Sequence, residues 1–385
     1  MSLKKIITVI GARPQIIKAA AISRAIHTQF SGQLEEFIVH TGQHYDENMS
    51  EVFFSELGIP KPAFNLNVGS GQHGSMTAKM LEGLEALYVS EKPDAVLVYG
   101  DTNSTIAAAL AAAKIYIPVI HVEAGLRSYN KSMPEEINRI SCDHMSSLLF
   151  SPTKAGMENL AKEGFDLTPT KQASIDHPNV YHCGDVMYDN SLFFSELSDE
   201  KSDILAKNEL SPEGYILCTI HRDTNTDDVH HLNAIFQALV RVHEETNLEI
   251  ILPLHPRTKK KMEELLHSEL REKLDQTPGI KIIPPAGFLD IIALEKNARM
   301  IITDSGGLQK EAFFFQKPCV ILREQTEWIE IVQNGNARLA GSNEEMIVQH
   351  TRDLLNKSDF TYPSLFGDGQ AASFICSKIL SDLLC

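Results

Sequence analysis

Short runs of β-branched and aliphatic residues, each followed by a helical stretch, recur along this chain in two series. No other feature limits its fold as tightly. In the first series the runs are residues 6–10, 36–40, 95–99, 118–122, 148–150 and 180–182. In the second they are 215–220, 249–254, 280–283, 299–303 and 319–322. Most are nearly continuous in apolar character rather than alternating. That pattern belongs to parallel strands covered on both faces by crossover helices. Two series predict two doubly wound, Rossmann-like α/β domains facing across a cleft. A chain of 385 residues with 43% hydrophobic content suits two cores of ordinary size. The boundary is expected near residues 184–189, giving domains 1–186 and 187–369. Residues 370–385 read as a helix with one apolar face, packing back on the first domain. The Pro- and Thr-rich stretch 166–178 reads as a surface loop ahead of the strand at 180–182.

Polar residues collect where these strands end. The strand-end segments are Gly11-Ala12-Arg13-Pro14, Thr41-Gly42-Gln43-His44, Gly100-Asp101-Thr102-Asn103, Glu123-Ala124-Gly125, His221-Arg222, His255-Pro256-Arg257 and Asp304-Ser305-Gly306-Gly307. Open α/β sheets bind ligands outside the carboxyl ends of their strands, so two such rims predict a binding cleft.

Three groups of residues carry the chemistry. The turn at Gly11 opens a helix and lacks the later glycines of a dinucleotide fingerprint; Arg13 and Lys18 either meet a phosphate there or are solvated charges. The Asp304–Gly307 turn also opens a helix, whose N-terminal N–H groups suit a phosphate. It lacks the Gly-Lys-Ser/Thr of a phosphate-cleaving loop, and Glu311 is placed one or two turns along to accept from ribose hydroxyls. A capped helix start is the competing account. Asp101 and Glu123 end successive strands, and Glu135 follows Pro134 at a helix start. Several carboxylates in one cleft shift each other's pKa and so let a general acid and a general base coexist. The competing account is salt-bridge duty with Arg127 and Arg139. His121 and Glu123 share a strand face, but no third ligand stands at metal-site spacing, so no metal is expected. His221 and His255, at strand ends beside the suspected phosphate site, suit diphosphate contact or proton transfer.

The formal charge of −16 argues against broad nucleic-acid or anionic-membrane binding. The six cysteines lack metal or redox spacing and read as reduced thiols of a cytoplasmic protein. The N-terminal apolar run is cut by Arg13 and Pro14 and reads as a first strand rather than a signal peptide. No run is long enough to span a bilayer.

Taken together, the segments GARPQIIK, TGQH, YGDTNST, HVEAGLRS, MPEEINR, CGDVMYD, TIHR, LHPR and TDSGGLQKEA resemble the non-hydrolysing UDP-N-acetylglucosamine 2-epimerase family. The resemblance runs from Gly11 to Ala312. It implies a glycosyltransferase-B-like fold and a homodimer. It also implies C2 inversion of a UDP-sugar without metal, nicotinamide or other cofactor: UDP is eliminated to give 2-acetamidoglucal and then added back. Residue by residue, Asp101, Glu123 and Glu135 match the family's catalytic acids, and His221 its histidine near the diphosphate. Arg13 and Lys18 match the basic pair near phosphate and sugar; Ser305, Gly306, Gly307 and Glu311 match UDP contacts, with His255 and Phe288 completing the expected substrate-binding set.

The chain departs from the family's pattern at Ala12 and Gln15, where Thr and Glu are usual. It also departs at Tyr45 and Asp46, where substrate-activated bacterial members carry Arg and Glu. The stretch GQHYDENMSEVFF resembles relatives acting on UDP-2,3-diacetamido uronic acid sugars. The expected reaction is therefore interconversion of UDP-GlcNAc and UDP-ManNAc, with 2-epimerisation of UDP-2,3-diacetamido-2,3-dideoxyglucuronic acid as the alternative. A UDP-sugar glycosyltransferase and a non-catalytic UDP-sugar sensor are more remote. Trp328 reads as packing.

Overall fold

The computed structural model describes residues 3–43, 54 and 58–383. The segment carrying His44, Tyr45 and Asp46, most of GQHYDENMSEVFF, and Cys385 lie outside the described residues. Two compact units are formed: residues 1–192 with 364–385, and residues 193–363.

The first unit is built on strands β1 (Lys4–Ile10), β2 (Leu34–His40), β3 (Phe64–Asn65), β4 (Ala95–Tyr99), β5 (Val119–Val122), β6 (Leu148–Ser151) and β7 (Asn179–His182). Their order in the sheet is β3-β2-β1-β4-β5-β6-β7, with every pairing parallel. The apolar runs are continuous because helices cover both faces. Ile7, Val9, Val96 and Val98 pack under the Ala-rich helix Asn103–Lys114, whose Ala107, Ala108, Ala111 and Ala112 are fully buried. Small side chains let that helix lie close to the sheet, which brings its N-terminus up to the carboxyl end of β4. The second unit repeats the plan with β8 (Tyr215–Thr219), β9 (Glu249–Pro253), β10 (Ile280–Ile283), β11 (Met300–Thr303), β12 (Cys319–Ile321) and β13 (Ala337–Leu339), in order β10-β9-β8-β11-β12-β13. All of these pairings are parallel as well. In both sheets the order reverses beside the first strand, at β1/β4 and at β8/β11. Those are the switch points where a doubly wound sheet opens a crevice.

The C-terminal helix Ala371–Asp382 belongs to the first unit. Its N-terminus is capped by Asp189, whose carboxylate accepts from Ala371 N (3.1 Å) and Ala372 N (2.8 Å), and near its far end Ala173 N donates to Asp382 O at 2.7 Å. Burial raises the Asp189 pKa to about 6 even though the two N–H bonds lower it. An acid whose folded pKa is raised stabilises the fold most below its unfolded value, and that stability is lost as pH rises through about 6. The expected result is that thermal unfolding of wild type shifts down between pH 4 and 6 relative to Asp189→Asn. Parallel profiles would show that Asp189 does not titrate there.

The turn after β5 depends on glycine. Gly125 has φ +78°, and a Cβ on it would lie 2.4 Å from the backbone oxygen of Gly156. Gly125→Ala is expected to cost about 2–4 kcal/mol, combining the left-handed backbone with a clash against main chain, and calorimetry reads it as a lowered Tm. Among the described residues, no helix is long and apolar enough to cross a membrane.

Candidate active site

At the first switch point the chain leaves β1 through Gly11 and turns into the helix Arg13–Gln29. A Cβ on Gly11 would sit 2.1 Å from Ser104 Oγ and 2.2 Å from Thr41 Oγ1, so only glycine fits. The buried Gln15 fixes the turn. Its Oε1 accepts from Gly11 N (2.9 Å) and Ala12 N (3.2 Å), while its Nε2 donates to Tyr99 O (2.9 Å) and Thr105 Oγ1 (3.0 Å). An ionised Glu could make the first pair but not donate to the Tyr99 carbonyl, so glutamine is explained locally. Arg13 is exposed at the head of this helix.

Lys18, one turn further on, is paired with Glu123. The sequence left Lys18 either near phosphate and sugar or as a solvated charge; in the structure its ammonium sits on a carboxylate. Burial works against that ammonium, but the attraction and hydrogen bond of Glu123, with further attraction from Asp101 and Asp185, hold its pKa above the ordinary lysine value. Lys18 thus has one carboxylate in direct contact and two more close enough to act on its charge. Glu123 itself has φ +75°, a strained backbone for a residue with a side chain, and Gly100 has φ +61°. A Cβ at Gly100 would lie 3.1 Å from Glu123 Oε2 and 3.6 Å from Lys18 Nζ. The β4 turn and the Glu123–Lys18 pair are therefore in close contact. Strain of this kind persists where surrounding structure imposes it, and it gathers at functional sites.

Asp101 follows Gly100. Its Oδ2 receives Arg139 Nε (3.1 Å) and Nη2 (2.5 Å), and its backbone oxygen receives Asn138 Nδ2 at 2.9 Å. Arg139 Nη1 also reaches Glu136 Oε2 at 2.8 Å. Glu136 is buried and accepts from Ser128 N, Ser128 Oγ and Tyr129 N, fixing the loop ahead of the helix Pro134–Met145. Burial alone would raise the Glu136 pKa, but these donors and Arg139 bring it below the ordinary value. Glu135, its neighbour, is exposed in the first turn of that helix. Asp101 and Glu123 thus follow the ends of the adjacent strands β4 and β5, with Lys18 on Glu123 and Arg139 on Asp101, while Glu135 is exposed at the helix start.

His121, weighed as a metal ligand, has both ring nitrogens occupied: Nδ1 by Asp143 Oδ1 at 2.7 Å and Nε2 by the Gly100 oxygen at 2.8 Å. Among the described residues, no group of three or more His, Cys, Asp and Glu is arranged to hold a metal ion.

At the second switch point the organising residue is Asp304, fully buried at the end of β11. Its carboxylate accepts from His221 N (3.1 Å), Arg222 N (3.0 Å) and Asn225 Nδ2 (3.0 Å), and Oδ1 is 2.8 Å from His221 Nδ1. Burial would raise its pKa, but the His221 contact and these donors hold it below the ordinary carboxylate range. His221 is thereby fixed in orientation while its side chain remains 54% exposed. Arg222 Nε donates to Asp304 O at 3.0 Å.

Ser305 then caps the helix Gly306–Phe314, accepting from Leu308 N. A Cβ on Gly306 would lie 2.5 Å from Glu327 Oε1, whereas Gly307 leaves its neighbours at ordinary contact distance. Trp328 backs this turn, its Nε1 donating to Gly306 O (3.0 Å) and its ring carrying Lys310 Nζ at 4.1 Å. Glu311 is buried along the helix. His255 caps the helix Pro256–Leu265 through Nδ1, and Phe288 is buried edge-on against Phe194 with ring centroids 5.1 Å apart. Sequence reasoning noted Gln15 only as a departure from the family's pattern and assigned no role to Asp143 or Asp304. Asp304 had one available signal, its place directly before the Ser-Gly-Gly turn.

A family profile described as UDP-N-acetylglucosamine 2-epimerase matches residues 27–380. A Pseudomonas aeruginosa protein named UDP-2,3-diacetamido-2,3-dideoxy-D-glucuronate 2-epimerase is 47% identical, over 97% of this chain and 99% of that one. The crystal structure of the Methanocaldococcus jannaschii UDP-GlcNAc 2-epimerase in complex with UDP-GlcNAc and UDP is similar, with TM-score 0.81 and 40% identity over 98% of this chain and 99% of that one. Phytolacca americana UGT2 shares the fold at TM-score 0.63 and 11% identity, covering 98% of this chain and 99% of that one.

Proposed function

The chain belongs to the UDP-N-acetylglucosamine 2-epimerase family, and from that premise we propose that it inverts C2 of a UDP-linked 2-acetamido sugar by eliminating UDP and adding it back. It is an isomerase of glycosyltransferase-B-like fold that epimerises a UDP-sugar. The observation that carries the mechanism is the pair of strand-end carboxylates Asp101 and Glu123, with Lys18 on Glu123.

The proton on C2 of the sugar is only weakly acidic. Its removal must therefore be shared with cleavage of the C1–O bond. A carboxylate takes the C2 proton, the C–H pair becomes the C1=C2 bond of 2-acetamidoglucal, and the C1–O pair leaves with UDP. In the return stage UDP oxygen attacks C1 and C2 is reprotonated on its other face. In this proposal Asp101 and Glu123 handle the proton and stabilise positive charge developing at C1, and Glu135 is the third acid, brought in from the helix start. Lys18 holds Glu123 in place. His221, oriented by Asp304, meets the diphosphate together with the N–H groups behind Ser305, Gly306 and Gly307, and the family resemblance gives Arg13 of the first unit a phosphate contact. His255, Phe288 and Glu311 complete the expected contacts to UDP. The homodimer, the cytoplasmic setting and a place in polysaccharide biosynthesis are carried by the family resemblance.

Two sugars are in question. The sequence alone points to UDP-GlcNAc, and a Methanocaldococcus jannaschii enzyme of that name is 40% identical. Identity does not separate the two, since the diacetamido-glucuronate enzyme and a Methanococcus maripaludis protein named UDP-N-acetylglucosamine 2-epimerase homolog are each 47% identical; the stretch GQHYDENMSEVFF, which resembles relatives acting on the diacetamido uronates, favours a sugar with a second acetamido group at C3 and a carboxylate at C6. Each sugar is incubated with the enzyme alone in D₂O. The expected product is the C2 epimer carrying deuterium at C2, formed faster from the diacetamido uronate. Faster turnover of UDP-GlcNAc reverses the choice of sugar, and no deuterium with either sinks the proposal. Chelation with EDTA is expected to leave the rate unchanged; inhibition reversed by Zn²⁺ or Mg²⁺ would contradict the mechanism.

A further inference from the structure

We propose that His121 is a positioning residue for the C2 chemistry: a buried imidazolium that donates through both ring nitrogens and so ties the Gly100–Asp101 turn to the Glu123–Gly125 turn. The inference rests on the epimerase reading for its consequence, but its geometry stands alone.

Both partners of the ring are acceptors. Nδ1 meets the Asp143 carboxylate at 2.7 Å and Nε2 meets the Gly100 carbonyl at 2.8 Å. A neutral imidazole has one N–H and one lone pair, and would set that lone pair against one of these oxygens. Moving the proton to Asp143 would satisfy both contacts, but the surroundings of Asp143 oppose it. Its other oxygen already accepts from Arg127 Nη2 (2.6 Å) and Gly125 N (3.2 Å), contacts that favour the ionised carboxylate. His40 shows the contrasting case in the same sheet: its Nδ1 receives Gly42 N at 3.0 Å, and burial lowers its pKa to about 4.

The groups around His121 are Cys142 and Asp143 from the helix Pro134–Met145, and Arg127 with Glu163 behind it. Burial opposes the imidazolium, but Cys142 and the Asp143 contact outweigh it and raise the pKa well above the ordinary histidine value. The chain therefore reads His121⁺, Asp143⁻, Arg127⁺, Glu163⁻, with alternating sign from the sheet interior to the surface.

Its reach is what matters for function. The Gly100 oxygen precedes Asp101 in the chain, and Gly125 N closes the turn that begins at Glu123. Holding both through one ring and one carboxylate fixes the spacing of the two proposed acids. A small error in placing reacting groups costs up to about a hundredfold in rate.

The test has two arms. In protein labelled with ¹⁵N-histidine, the His121 resonances, identified by their loss in His121→Gln, are expected to show two protonated ring nitrogens from pH 6 to 9. A bare, pyridine-type nitrogen at pH 8 would overturn the proposal whether or not the enzyme has the proposed activity. In the exchange assay His121→Gln is expected to lower kcat by about 10- to 100-fold, with KM and UDP affinity within about threefold of wild type. An unchanged kcat, or a parallel fall of kcat, UDP affinity and Tm, overturns it. If the variant does not fold, the NMR arm on wild type decides, with the His121 resonances identified instead by their shift in Cys142→Ser, a side-chain neighbour of the ring. Absence of exchange in wild type itself would count against the epimerase reading and not against the imidazolium.

Discussion

Asp101→Asn is expected to reduce deuterium incorporation at C2 by roughly 10³-fold, the scale of a lost general acid or base, while UDP affinity stays within a factor of about three. Asparagine keeps the shape of the side chain and one oxygen to accept from Arg139, which donates through Nε and Nη2 to a single Asp101 oxygen. What it loses is the ability to exchange a proton and to oppose positive charge at C1. Glu123→Gln should fall at least as far, because it also leaves the buried Lys18 ammonium without its ion-pair partner. Persistence of exchange near the wild-type rate in Asp101→Asn would remove Asp101 from the proton path and leave it as the partner of Arg139.

Asp304→Ala should have the other large effect, on nucleotide binding. One buried carboxylate receives two backbone N–H groups, the Asn225 amide and His221 Nδ1. Deleting it strands those donors in a fully buried place, at about 3–5 kcal/mol for a broken buried charged network. The turn carrying His221 and Arg222 then loses its anchor beside the Ser305–Gly307 helix start. Titration calorimetry with UDP is expected to show affinity lower by about 100-fold or more, and scanning calorimetry a lower Tm. His221→Asn, which removes the ring and keeps the anchor, should weaken UDP less. Equal UDP affinity in Asp304→Ala and wild type would mean that this turn does not organise the nucleotide site.

Much of the architecture was legible because covered parallel strands leave continuous apolar runs. The long members, such as β1 and β4, and the polar residues at their ends could be read directly. The strands Phe64–Asn65 and Ala337–Leu339 could not, since two or three residues carry no periodicity. Glu36 falls within the second predicted run. There it is a buried acid held by Thr8 and Ser23, and burial raises its pKa. Nothing in the local sequence announces an acid held by hydroxyl donors inside the sheet.

At the sites, residue types at strand ends located the rims, but pairings depended on the fold. Lys18 and Glu123 are 105 positions apart, and only the β1/β5 geometry makes them partners. Asp143 lies in the last turn of its helix, 22 positions from His121, and looks like surface charge until the helix is placed. A salt bridge and the proposed catalytic role are not alternatives here. Asp101 has its arginine and Glu123 its lysine, and the same contacts that satisfy each carboxylate hold it in place.

The central claim is that the bond between C1 and the UDP oxygen breaks and re-forms during epimerisation. The most direct measurement is positional isotope exchange with a UDP-sugar carrying ¹⁸O in the C1–O–P bridge. If UDP leaves and returns, its terminal phosphate rotates before re-addition, and ¹⁸O appears in non-bridging positions as the C2 epimer forms. Epimerisation with ¹⁸O retained wholly in the bridge would contradict the elimination mechanism.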